Sequence, residues 1–177
     1  RGAIPLWGGG YAAHVLALQA SGGIASGPGA GPFQYRLGGA SGQLEQLTGL
    51  ELFGGGFLLF PVRGYPPGSR FGRLAWSATA EYRFPLWFIN RGFRVWPLHA
   101  DRMIGSLFFD AGNAWGPDLS ASGFQNALRD PLASLGAEIT TEMLGLYRAR
   151  VRLRVGVALP LTGGGDAVGY VRVGLPF

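Results

Sequence analysis

Cysteine is missing altogether, so neither a disulfide nor a thiolate metal site can support the fold. Lysine is missing too: all 15 basic residues are Arg, the simplest reading of which is a GC-rich genome. Charge is sparse, at 14% of residues, where a soluble domain usually carries about a quarter. No run of about 18 apolar residues exists, which excludes a spanning helix. The stretch 2–35 holds no Asp, Glu, Lys or Arg, but GGG, SGG and GPGAGP break it repeatedly. Histidine is down to His14 and His99. His99 lies near Asp101, but no Ser in an elbow motif and no paired carboxylates accompany them, so the expectation is a non-enzyme with no catalytic residue. GGG at 54–56 and 163–165 lacks the Lys and Ser/Thr of a phosphate loop and reads as turns. No metal-ligand spacing is found, and no metal or cofactor is expected. There is no initiator Met and no signal peptide, so the chain reads as a processed protein or a fragment.

What is present points to strands. The 177 residues are one domain's worth, with 32 Gly, 12 Pro, 47% apolar residues and 13% aromatics. Many turns, many aromatics and weak hydropathy suit a membrane β-barrel, whose signal per strand is far weaker than a helical one. The formal charge is +5, yet the arginines alternate with apolar residues instead of clustering on a solvent face, so nucleic acid is not expected as a partner.

Periodicity sets the class. From Arg73 to Phe84 the residues alternate, with Leu74, Trp76, Ala78, Ala80, Tyr82 and Phe84 opposing Arg73, Ala75, Ser77, Thr79, Glu81 and Arg83; period two is a strand. Residues 147–159 repeat this more clearly, with Arg148, Arg150, Arg152 and Arg154 lining one face against Val151, Leu153, Val155 and Val157. These strands run longer than the roughly five or six residues of globular sheets and match the 9–11 needed to cross a bilayer at a tilt. Further strands are expected at about 11–21, 33–38, 102–115, 132–142 and 167–177, making seven. The expected fold is therefore all-β: a single antiparallel transmembrane β-barrel domain over 1–177, or the C-terminal part of one, of about seven or eight strands. An eighth strand could hide near 51–60.

The connections alternate in length as barrel loops do. With the C-terminus in the periplasm, 39–72, 116–131 and 161–166 fall outside the cell, and 22–32, 85–101 and 143–146 in the periplasm. The segment 85–101 is long for a periplasmic turn, so WFINRGFRVW is read as strand extensions with Trp87 and Trp96 near an interface. The loop 39–72 needs a job to justify its length: either it folds inward, or 52–62 is an ordinary hairpin strand.

Three motifs in order, VRGY at 62–65, EYRFPL at 81–86 and FFDAGNAW at 108–115, resemble the barrels of the outer-membrane protein assembly factor superfamily, the BamA and bacterial surface-antigen barrels. The resemblance covers about 9–177 and corresponds to the C-terminal half of a sixteen-stranded barrel, without the family's periplasmic receptor domains. It implies that the long loop enters the barrel and that Arg63 contacts acidic residues on the inner wall. Strand parity nominates Glu81, and the family's inward Asp corresponds to Asp110. A guanidinium in low dielectric needs carboxylates. Gly64 would supply unusual backbone angles and Tyr65 would pack on the wall.

The last strand adds an independent signal. Val171, Val173, Leu175 and Phe177 share one face and the chain ends on an aromatic, so Tyr170, Leu175 and Phe177 resemble the terminal signal of outer-membrane barrels. It departs from the pattern at Arg172, where a Gly is expected, with Gly174 displaced by two. The resemblance implies residence in the bacterial outer membrane, contact with its lipid, and a role in inserting or exporting client proteins, together with other subunits and the missing N-terminal part of the barrel. The alternative is a passive small pore or structural surface-antigen barrel whose inward Arg148, Arg150, Arg152 and Arg154 favour anions. A soluble lipocalin-like carrier is a third class, distinguished by solubility without detergent.

Overall fold

The computed structural model of the chain describes residues 2–7, 13–27, 34–39, 59–92, 98–116, 128–145 and 149–174. Ten strands run in chain order: β1 (Gly2–Trp7), β2 (His14–Ile24), β3 (Tyr35–Leu37), β4 (Leu59–Phe60), β5 (Arg70–Gly72), β6 (Leu74–Gly92), β7 (Leu98–Trp115), β8 (Leu132–Gly145), β9 (Ala149–Pro160) and β10 (Val168–Gly174). Seven of them form one antiparallel sheet in the order β1-β2-β6-β7-β8-β9-β10. Among the described residues β1 pairs only with β2 and β10 only with β9, so the sheet they form has two edges and is not a closed barrel.

Seven wall strands are present, but not the seven expected. Residues 35–37 leave the wall: β3 pairs with β4 and β5 in a small three-stranded sheet, and Leu37 is fully buried beneath it. Three residues are too few for alternation to tell a wall strand from a strand of an inserted loop. The place in the wall is taken by β1, a fully exposed edge strand, where Pro5 is tolerated because one side of an edge makes no ladder bonds. No eighth wall strand comes from 59–60, because β4 pairs parallel with β3; residues 51–58 lie outside the described residues. With β2 paired directly to β6, 25–73 is one excursion, so 22–32 does not lie at the opposite end from 39–72. Ile24, Leu74, Trp115, Leu132, Pro160 and Val168 end their strands on one side of the sheet, and Trp7, His14, Gly92, Leu98, Gly145 and Ala149 on the other. The extension of 85–101 is there: β6 runs 19 residues and β7 18, with register shifts at Pro85/Trp87 and Phe88/Arg91. Trp87 is exposed on β6; Trp96 lies outside the described residues.

Alternation sorts the side chains of the wall. Leu18, Leu107, Phe109, Leu135, Ile139, Val155, Val157, Val171 and Val173 stand exposed on one face. The opposite face holds Glu81, Ser106, Asp110, Ser134, Glu138 and Arg172, all buried. This is an inverted protein, apolar outside and polar inside, the arrangement that lipid on the outside favours. The sheet curls around the inner face, so that residues of β1, β2, β6, β7, β9 and β10 line a single cavity. Over that face lies the excursion between β2 and β6. Its Leu37, Phe60 and Val62 pack against Ala75, Ala114 and Leu132 of the wall, beside a second, smaller cluster of Phe108, Ala158 and Tyr170.

Candidate functional site: a loop pinned to the inner wall

The site is built where β6 to β10 bring their inward residues into rows. Thr79, Asp110, Ser134 and Pro160 are direct neighbours across β6 to β9; the next row is Glu81, Phe108, Gly136 and Ala158, and the next Arg83, Ser106, Glu138, Gly156 and, on β10, Tyr170. Arg63 lies over the middle row. Its Nε donates to Asp110 Oδ2 at 2.6 Å and its Nη2 to Asp110 Oδ1 at 2.8 Å, while its backbone N–H donates to Oδ2 at 3.1 Å. That is a bidentate, charge-assisted pair. Glu81 is a longer ion-pair partner, with Oε2 3.7 Å from Nη1, and Glu138 Oε2 is 3.8 Å from the same nitrogen. Beneath the guanidinium is Phe108, whose ring centroid is 3.4 Å from Cζ, a cation–π contact in a desolvated place.

The charge is held by its surroundings. Burial alone would lower the Arg63 pKa, but the hydrogen bonds and attraction of Asp110, with attraction from Glu81, more than reverse this and leave it above its ordinary value. Arg63 is therefore a permanent cation inside a ring of carboxylates.

Gly64 and Tyr65 fix the turn that delivers it. Gly64 has φ +91, and a Cβ there would stand 3.2 Å from Ala158 Cβ, so both the backbone angle and the nearness of the wall demand glycine. Tyr65 reaches the loop end of the wall, where its hydroxyl lies 2.8 Å from Ala133 O, 2.7 Å from Thr162 O and 2.9 Å from Thr162 Oγ1. The backbone N–H of Thr162 also points at that hydroxyl, 3.3 Å away. One phenol thus ties the loop to the start of β8 and the end of β9. Arg70 adds a further tie, donating to Asn113 Oδ1 at 2.6 Å and to the Asp130 carbonyl.

Glu138, which the sequence reading did not single out, is the second centre. Fully buried on β8, its carboxylate faces Arg172 Nη2, Arg154 Nη1 at 3.6 Å and Arg63, and accepts from Tyr170 Oη at 3.0 Å. Arg172, the apparent departure in the terminal strand, is buried and pairs with Glu138 across β9. Tyr170 also faces inward, its ring over Gly156, where a Cβ would stand 2.7 Å from the ring. It does not share the outer face of Val171 and Val173; Leu175 and Phe177 lie outside the described residues. The clue to Glu138 was its parity, shared with Ser134 and Glu142 on a mostly apolar strand.

Of the basic strand, Arg150, Arg152 and Arg154 take the inner register, opposite Leu144, Glu142 and Thr140; Arg148 lies outside the described residues. Glu142 bridges Arg152 at 2.8 Å and Arg102 at 2.6 Å. Among the described residues no group of three or more His, Cys, Asp or Glu could hold a metal ion, and no helix is long and apolar enough to cross a membrane, which says nothing of strands.

These features define a class: an all-β antiparallel wall with an apolar outer face, a charged inner face and a loop pinned inside. The chain belongs to the Omp85 superfamily, whose domain matches residues 53–164, more than half its length. At a coarse level this is a family of bacterial outer-membrane proteins concerned with protein insertion and translocation. No curated protein and no solved structure matches the chain.

Proposed function

We propose that the chain forms the C-terminal part of an outer-membrane β-barrel that inserts or exports other proteins, with its C-terminus on the periplasmic side. In this reading β1 pairs with a further section of wall, the outer face contacts lipid, and client proteins or other assembly subunits are the partners. No catalytic group, cofactor or nucleic acid is required. The observation that carries the proposal is the bidentate seat of Arg63 on Asp110, since an inward loop pinned by a buried ion pair is superfluous in a passive channel. Desolvating a guanidinium is costly unless it is well paired, and three wall carboxylates, those of Asp110, Glu81 and Glu138, surround this one.

A second reading, a passive pore or structural surface-antigen barrel, draws on the inner-face arginines. Reconstitution separates them: the protein is placed in liposomes, and an unfolded outer-membrane barrel is offered as client. Faster folding of the client than in empty liposomes, reduced by Arg63→Ala, supports protein handling. Steady ion conductance with no effect on the client supports the passive reading and removes the first.

A further inference from the structure

The cavity between the pinned loop and the inner wall, about 510 Å³ in volume, has lopsided chemistry. Five guanidinium groups line it, those of Arg63, Arg83, Arg152, Arg154 and Arg172, against two carboxylates, Glu81 and Asp110. Those carboxylates are already engaged: Asp110 by Arg63 through both oxygens, and Glu81 by Arg83 at 2.7 Å. Glu138 serves three arginines, and Glu142 serves Arg102 and Arg152.

Arg154 is the group left short. It stands directly opposite Arg172 on β10 and two residues from Arg152 on the same face. Its nearest carboxylate oxygen, on Glu138, is 3.6 Å away, and among the described residues no hydrogen bond is made by its guanidinium. Like charges set directly opposite on neighbouring strands destabilise a sheet, and the nearest carboxylate, Glu138, is shared among three arginines. Arg83 and Arg152 also line the cavity, with side chains 45% and 34% exposed.

We infer that this cavity is a binding site for a phosphate-class oxyanion, with Arg154 as the central donor and Arg83 and Arg152 closing on it. Planar guanidinium forks match the paired oxygens of a phosphate and bind it bidentately. The volume takes a phosphoryl group with several waters, each needing about 30 Å³. The group could arrive free or as a lipid headgroup; both present the same oxygens. This inference stands apart from protein handling, since it requires only the inner-face geometry.

The test is calorimetric titration of the intact protein in uncharged detergent with pyrophosphate, at ionic strength matched by sodium chloride. One saturable site is expected, weakened at least tenfold, about 1.4 kcal/mol, by Arg154→Gln. Arg129→Gln, at an exposed position near the loop end, is expected to leave it unchanged. Arg154→Lys keeps the charge and loses the fork, so it gives an intermediate loss and serves if Arg154→Gln does not fold. Mixed micelles of phosphatidic acid against phosphatidylcholine form a second arm: tighter binding of phosphatidic acid than of pyrophosphate assigns the headgroup source, and the reverse assigns free phosphate. Absence of saturable binding at millimolar pyrophosphate, equal weakening by Arg129→Gln, or binding of an acidic peptide but not of phosphate would each overturn the inference.

Discussion

Phe108 is the floor on which Arg63 rests, its ring centroid 3.4 Å from the guanidinium carbon. The ring fills the space that a side chain at Gly136 would occupy, since a Cβ there would lie 2.3 Å from Phe108 Cζ. Charge alone therefore does not make the seat; an aromatic from β7 and an empty position on β8 complete it.

Replacing Arg63 by Ala strips a buried carboxylate of its partner. The expected loss is about 3–5 kcal/mol, the range for breaking a buried pair from one side. Arg63→Lys should recover little of it, because an ammonium cannot form the fork. Urea titration of the folded, SDS-resistant form measures both.

Strand parity alone would favour Glu81 as the direct partner, so that Arg63→Glu combined with Glu81→Arg should partly restore the fold. The distances favour Asp110, at 2.6 and 2.8 Å against 3.7 Å. Expected instead is poor rescue by that swap, and strong non-additivity between Arg63→Gln and Asp110→Asn in a double-mutant cycle. Additive losses at Arg63 and Asp110 would refute the direct contact.

Gly64→Ala combines two costs. A left-handed angle costs an L residue roughly 1–2 kcal/mol, and the new methyl meets Ala158 Cβ at 3.2 Å. Ala158→Gly should relieve only the second. Limited proteolysis of the loop reads the result: cleavage faster than wild type for Gly64→Ala, and still faster than wild type in the double variant.

Gly136→Ala should be more severe, and removal of the aromatic should not rescue it. The added Cβ would also stand 2.3 Å from the Val157 carbonyl oxygen, and backbone cannot step aside as a ring can. Folding yield of Gly136→Ala with Phe108→Leu, compared with Phe108→Leu alone, decides this; equal yields would show that the wall yields instead.

Arg172→Gln removes a hydrogen bond to a buried carboxylate, an effect of about 1.5–3 kcal/mol. Combined with Glu138→Gln the loss should shrink, because the charge that needed Arg172 is gone. Amide exchange along β10 reports it, and unchanged protection in Arg172→Gln would mean that the pair does not hold the strand.

Long alternation was readable: 74–84 form the body of β6 and 149–159 all but the last residue of β9, because period two has only one physical meaning over a dozen residues. Short segments were not, and Tyr35–Leu37 went to the loop because three residues carry no period. GAIPLW at 2–7 was passed over because Pro and Gly lower strand propensity, although an edge tolerates both. Arg63 and Asp110 were nominated by a motif resemblance that parity could only support. Glu138 was legible in parity but had no motif to raise it, and its importance comes from Arg154 and Arg172, whose strands are joined to β8 by pairing alone. Phe108 read as an ordinary apolar residue; its inward place depends on Gly136, a neighbour across the sheet that sequence distance hides.

β9 keeps the wall in step. Its Arg150, Arg152 and Arg154 face inward and Val155, Val157 and Leu159 outward, so a slip of one residue would turn every cation to the outside at once. In a bilayer each arginine at mid-depth would cost about 2–4 kcal/mol. Three together would cost about 6–12 kcal/mol, comparable to the whole stability of a typical domain, about 5–15 kcal/mol. The arginine file thus works as a ratchet tooth for its neighbours: β8 and β10 align against a strand that can only step by two residues at a time.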